Sequence, residues 1–228
     1  MKITTEQIQK ENDSQKGMHG FAFDYLSNTL ECQGISVAHI IEQLKAFQVA
    51  IPSWALGAGG TRFGRFSFYG EPATLSQKLE DVGVLNALTQ SAGAISLHIP
   101  WDVPEDYTAI KEQAKTLGLV FDTVNSNTFQ DQKLAKASYK FGSLSSIDEA
   151  ARVQAITHNQ EVISIGKKLG SKSLTVWLAD GANFPGQVNF QTAIQQTEKS
   201  LHKIYADLPK DWKMFIEYKP FEPNFYST

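Results

Sequence analysis

In the stretch "FIEYKPFEPNFY" (215–226), Glu217 and Lys219 stand two residues apart within a β-forming run. On a strand that spacing turns both side chains to one face. If that face is an interior one, a carboxylate and an ammonium are costly there unless each has a partner. A metal ion could hold Glu217, and a polar substrate could meet Lys219. An internal ion pair or a surface edge strand is the structural alternative. Glu222, flanked by Pro220 and Pro223, is a further carboxylate or a loop charge.

A second stretch, "SLHIPWD" (96–102), sets His98 on an apolar run with Asp102 close behind it. A lone histidine on such a run is commonly a hydrogen-bonded core residue. With a carboxylate to fix its tautomer, it could instead move a proton on and off a hydroxyl. His19, His39, His158 and His202 have no such context, and the last two fall inside helical patterns, where a structural or exposed position is expected. Trp54, Trp101, Phe129 and Trp177 fall at or just past the ends of apolar runs. Singly each reads as core; four at one rim would wall a polar centre and keep it dry. Asp180, Asn183 and Gln187 follow Trp177 and read as loop and capping residues.

The stretch "IPSWALGAGGTRFGRFSFYG" (51–70) resembles a phosphate loop only superficially. The dinucleotide fingerprint needs a third glycine where Arg62 stands, and no Gly-Lys-Ser/Thr follows for a P-loop. Its glycines and rings suit a mobile aromatic segment, or an ordinary surface loop.

Positioning these groups requires regular elements, and the chain supplies them in alternation. Strand patterns lie at 47–54, 94–101, 119–126, 172–179 and 213–219, and helical patterns at 36–46, 73–90, 105–117, 147–169 and 190–206. Alternating strands and helices build right-handed βαβ units on a parallel sheet. His98, Asn125, Trp177, Glu217 and Lys219 all fall at strand C-termini. In a (β/α)8 barrel that is the catalytic face. The expected architecture is therefore a TIM barrel, as a single domain over 1–228 with residues 1–35 as an N-terminal lead-in. Five strands fall short of the usual eight, so the expectation includes a barrel truncated after about five strands.

The bulk numbers exclude several classes. A net charge of -3 gives no electrostatic case for nucleic acid or an anionic membrane surface. Cys32 is the only cysteine, so no intrachain disulfide is possible, which suits a reducing compartment. No apolar run approaches a signal core or a membrane span, and a cytoplasmic location is expected.

The motifs "IEYKPFEP", "SLHIPWD", "IPSWALGAGGTRF", "NSNTF", "SYKFGSLS", "NFPGQ" and "EPNFYST" together resemble the L-rhamnose isomerase family, among the xylose-isomerase-like sugar isomerases. The resemblance runs from about Phe21 to Thr228. It implies a xylose-isomerase-like TIM barrel, a homotetramer and two divalent ions, Mn2+ foremost. The implied reaction is the interconversion of L-rhamnose and L-rhamnulose, with other aldoses such as D-allose as further substrates. By that resemblance Glu217 is a metal ligand, Lys219 contacts the reacting end of the sugar, and His98 assists ring opening with Asp102 behind it. Trp54, Trp101, Phe129 and Trp177 form the apolar wall, and Phe66, or Phe63, covers the pocket from the glycine-rich loop. Tyr218 departs from the histidine of close relatives, at an outward-facing position. The family's other metal ligands lie beyond Thr228, so this chain by itself is expected to be an inactive piece. A sugar 3-epimerase of the same barrel type is the enzyme alternative, against which the Glu-x-Lys-Pro motif speaks. An endonuclease on this barrel would need a basic face and many histidines, and the chain has 5.

Overall fold

The computed structural model describes residues 3–57, 69–178, 180 and 186–218. Five strands, β1 (Ala50–Pro52), β2 (Ala94–His98), β3 (Val120–Asn125), β4 (Ser173–Leu178) and β5 (Lys213–Tyr218), form one sheet in the order β1-β2-β3-β4-β5. Every neighbouring pair is parallel. The helices are α1 (Thr5–Cys32), α2 (Val37–Ala46), α3 (Leu75–Thr89), α4 (Tyr107–Thr116), α5 (Glu149–Leu169) and α6 (Phe190–Ala206). The expected α/β order, strand after helix after strand, is the observed one.

The two faces of the sheet differ in kind. Paired positions across parallel strands share a face, and neighbours along a strand alternate. One face carries Ile95, Leu97, Phe121, Val124, Leu174 and Val176, all buried in the main hydrophobic cluster with residues of α3, α4, α5 and α6. The other carries Ser96, His98, Thr123, Asn125, Ser173 and Thr175, then Trp177 and Glu217 at the strand ends. A bulge in β3 keeps this division: Ile95 pairs with Phe121 and Leu97 with Val124, so β3 carries one residue more than β2. Small hydroxyl side chains suit the polar face because they bond one another. Thr123 and Thr175 are joined at 2.9 Å, and Ser96 Oγ donates to Asp122 at 3.2 Å.

Local chemistry fixes the element ends. Thr74 and Gln77 form a capping box at α3, and Asp106, Asp148 and Asn189 cap α4, α5 and α6. Gly170 ends α5 at φ 90°, in the left-handed region open to glycine. Gly166 has a different reason. A Cβ there would stand 2.7 Å from Trp212 and 2.8 Å from Val124, so only glycine lets α5 lie this close to β3.

The lead-in holds an element that the apolar pattern does not announce. α1 runs 28 residues from a Thr4–Gln7 capping box and buries no side chain. Its end is tied to α2, where Glu31 accepts the Val37 N–H at 2.9 Å. Met18, Phe21 and Tyr25 are exposed along it. No helix among the described residues is long and apolar enough to cross a membrane.

Candidate active site at the strand ends

The polar face of the sheet ends in a cluster of rings around His98. The imidazole stacks on Trp101, with centroids 4.0 Å apart and planes 20° apart. Trp54 and Phe129 meet it edge-on, each at 5.6 Å. Phe129 in turn contacts Trp177 at 4.4 Å and Trp101 at 6.3 Å. The five residues come from four segments: the turn after β1, the end and turn of β2, the loop after β3, and β4. The sequence placed all of them at strand ends, and the structure brings them into one cage.

Asp102 is also buried here, but it does not stand behind the imidazole as expected. Its Oδ2 accepts the main-chain N–H of His98 at 2.8 Å and the Ser53 hydroxyl. Its Oδ1 accepts the Lys78 ammonium at 2.7 Å. The turn over 98–102, with the Asp102 N–H donating to the His98 carbonyl at 3.0 Å, folds the carboxylate back on the strand end instead. Asp102 therefore fixes the backbone that carries His98. It links that backbone to the first helical turn after β1 and to α3.

Lys78 is the residue sequence reading missed. Its side chain is 4% exposed and that of Asp102 is 0%, so this is a buried ion pair. Neither charge could sit there alone. Nothing in the local pattern of α3 marks Lys78, because its partner arrives from 24 residues away.

A second support lies on α5. His158 Nε2 accepts the Asn127 N–H at 3.0 Å, and the Ile99 main chain bonds the same ring. Its side chain is 13% exposed. Burial lowers its pKa to about 4 from 6.5, with the Ile99 bond acting the other way. His158 is thus structural, one of the two positions expected of it. Its linkage to stability has a definite sign. Between pH 6.5 and 4 the unfolded chain holds a proton that the folded chain does not, so stability is complete above that window and falls as pH drops through it. The full shift is worth about 3 kcal/mol. Chemical denaturation from pH 7 to 4.5 should show this slope, and His158→Gln should flatten it; an equal slope in the variant would place the titrating group elsewhere.

Asp180 does what was expected of it. Its carboxylate accepts the N–H groups of Ser143 and Ser145 at 2.8 and 2.7 Å and the Ser143 hydroxyl at 2.7 Å, pinning the long loop after β3. Glu217 is exposed, on the outermost described strand, opposite Trp177. Tyr218 points to the opposite face and is also exposed. Lys219, Glu222, Phe63, Phe66 and Asn183 lie outside the described residues. Among the described residues no group of three or more His, Cys, Asp or Glu side chains gathers to hold a metal ion. Glu217 alone does not fit the implied pair of ions, which need several oxygen or nitrogen donors each.

The chain is similar to longer proteins named for sugar chemistry. It is 49% identical over 226 residues to a probable sugar isomerase of Rhizobium meliloti (strain 1021), covering 99% of this chain and 53% of that protein. A probable sugar isomerase of Mesorhizobium japonicum matches at the same identity, over 99% of this chain and 52% of that protein. The chain therefore spans about half the length of the curated relatives it matches. No protein-family model matches it. Among solved structures, a D-allulose 3-epimerase from Methylomonas sp. superposes with a TM-score of 0.51 at 11% identity, over 75% of this chain and 51% of that one. The likeness is one of fold, a parallel α/β arrangement that these five strands follow.

Proposed function

We propose that this chain is part of a sugar isomerase of the xylose-isomerase-like barrel type, acting on the sugar at the ring-walled centre around His98. The observation that carries the reading is the cage. A histidine enclosed by Trp54, Trp101 and Phe129 at the C-terminal ends of parallel strands, and buried there, is placed for acid–base chemistry away from bulk water. The names of the relatives supply the class of substrate.

In this reading the aromatic faces take the C–H side of the sugar, and the imidazole relays the proton between the anomeric hydroxyl and the ring oxygen as the ring opens. A hydrogen then passes between neighbouring carbons of the open chain. The reaction proposed first is L-rhamnose to L-rhamnulose, with D-allose as a further aldose. Glu217 would be one ligand for a pair of divalent ions, Mn2+ foremost, with the other donors supplied from outside the described residues. Lys219 would meet the reacting end of the sugar, and Phe66 would cover it. A homotetramer and a cytoplasmic location belong to the same proposal.

A second reading is a sugar 3-epimerase, in which the hydrogen leaves and returns at C3 of a ketose. The D-allulose 3-epimerase that shares this fold favours it. One assay separates the two. The protein, expressed from its native reading frame with Mn2+, is given L-rhamnose, D-allose and D-allulose, and products are resolved by chromatography. Appearance of L-rhamnulose supports the first reading. A product from D-allulose that is its C3 epimer, with no aldose, supports the second. No conversion and no quenching of tryptophan fluorescence by any of the three sugars would overturn both.

A further inference from the structure

Two of the four segments that build the ring cage meet at His98. One is the end of β2 and its turn, with His98 and Trp101. The other is the loop after β3, with Phe129. Their mutual placement decides whether the Phe129 contacts with His98 and Trp101, at 5.6 and 6.3 Å, exist at all. The segments touch directly through the Ile99 N–H and the Asn125 carbonyl at 2.9 Å, and Asn125 Nδ2 adds a bond to the Leu97 carbonyl at 2.9 Å. Both of these ties lie on the strand side of the cage. The Ser126 N–H still donates to the Thr175 carbonyl of β4 at 3.1 Å, and the loop that carries Phe129 starts after it.

We propose that His158 is a positioning residue that clamps these two segments together from α5 and so sets the geometry of the cage around His98. Its ring reaches Asn127, two residues before Phe129, through a 3.0 Å hydrogen bond, and Ile99, the residue after His98, through the main chain. A neutral imidazole is suited to this. It offers one acceptor and one donor in a rigid plane, so a single side chain can hold two backbone segments at a fixed separation. Nε2 accepts from Asn127, so the ring proton resides on the other nitrogen. α5 itself is a firm base, packed on β3 and β4 through Ala155, Ile156, Val162 and Ile163. Among the described residues His158 forms no ring pair with the caging side chains, and it acts through the backbone that carries them.

The test compares His158→Phe, which keeps the ring's bulk but neither hydrogen bond, with His158→Gln, whose amide can again accept and donate. Three measurements are made: exchange of the Asn127 amide, near-UV circular dichroism of the packed rings, and steady-state kinetics. In the phenylalanine variant the Asn127 amide should exchange about tenfold faster, the worth of one hydrogen bond, while amides of β2, β3 and β4 keep their protection. The near-UV signal should weaken. KM for the sugar should rise by about the same factor with kcat little changed, and the glutamine variant should recover most of each effect. The kinetic arm rests on the sugar isomerase reading; exchange and dichroism read the cage without a sugar, so an enzyme inactive on every sugar still tests the clamp. If His158→Phe does not fold, His158→Asn, too short to span both segments, takes its place in the comparison. Unchanged exchange at Asn127 in the variant, or a glutamine variant no better than the phenylalanine one, would overturn the proposal and leave His158 as packing.

Discussion

Lys78→Met is expected to cost the fold about 3–5 kcal/mol, the penalty for leaving one partner of a buried ion pair. The ammonium is 2.7 Å from Asp102 Oδ1, and both side chains are shut off from water. Methionine fills much the same volume, so the loss is electrostatic and no cavity is made. Ser53 and the His98 N–H still serve Oδ2, but Oδ1 is left in a medium that solvates charge poorly. The double variant Lys78→Met/Asp102→Asn should recover a large part of the loss, because it removes both charges together. Urea denaturation of the four proteins of this cycle gives the coupling directly. A single-variant loss below about 1 kcal/mol would put the pair on a par with a surface salt bridge and rule out its burial in solution.

His98→Phe should lower turnover about 100-fold or more while leaving the fold near its normal stability. A phenyl ring can keep the stack on Trp101 and the edge contacts with Trp54 and Phe129. On the proposed reading it removes the proton relay, and general acid–base groups are worth about 100- to 10,000-fold. If the role is ring opening, the defect should shrink for a sugar with a larger open-chain fraction in solution. Rates on two such sugars distinguish this from a general loss of binding. An equal defect on both would place His98 in the hydrogen transfer itself, and full activity would remove it from the chemistry.

Much of this arrangement was legible in the chain because it is written in local pattern. The helix expected at 147–169 is observed at Glu149–Leu169, and the one at 190–206 at Phe190–Ala206. Apolar spacing and capping residues are sufficient evidence for such elements. Strand limits were drawn too long: β2 stops at His98 where 101 was expected, since the turn through Pro100 leaves the ladder. α1 was not foreseen for the converse reason. Periodicity records burial, and a helix that buries nothing carries no stripe to read. The aromatic residues and His98 were legible as strand-end residues. The partners of Asp102 were not, since the spacing of His98 and Asp102 implies a side-chain pair while the turn delivers the carboxylate to a main-chain N–H and to a lysine on another helix. Lys78 and His158 share that obscurity: each acts on backbone or charge brought to it by folding.

The division of the sheet into an apolar and a polar face has a consequence for how such a protein can change over time. Along β2, β3 and β4, successive residues serve different masters, Leu97 and Val124 the packing against helices, His98 and Asn125 the centre at the strand ends. Substitutions at one set are judged by whether the chain folds, and at the other by what it binds. The two sets interleave along each strand and turn their side chains to opposite faces of the sheet. A lineage could therefore rewrite the chemistry of its inner surface one alternate position at a time, while the scaffold's side of each strand stayed as it was.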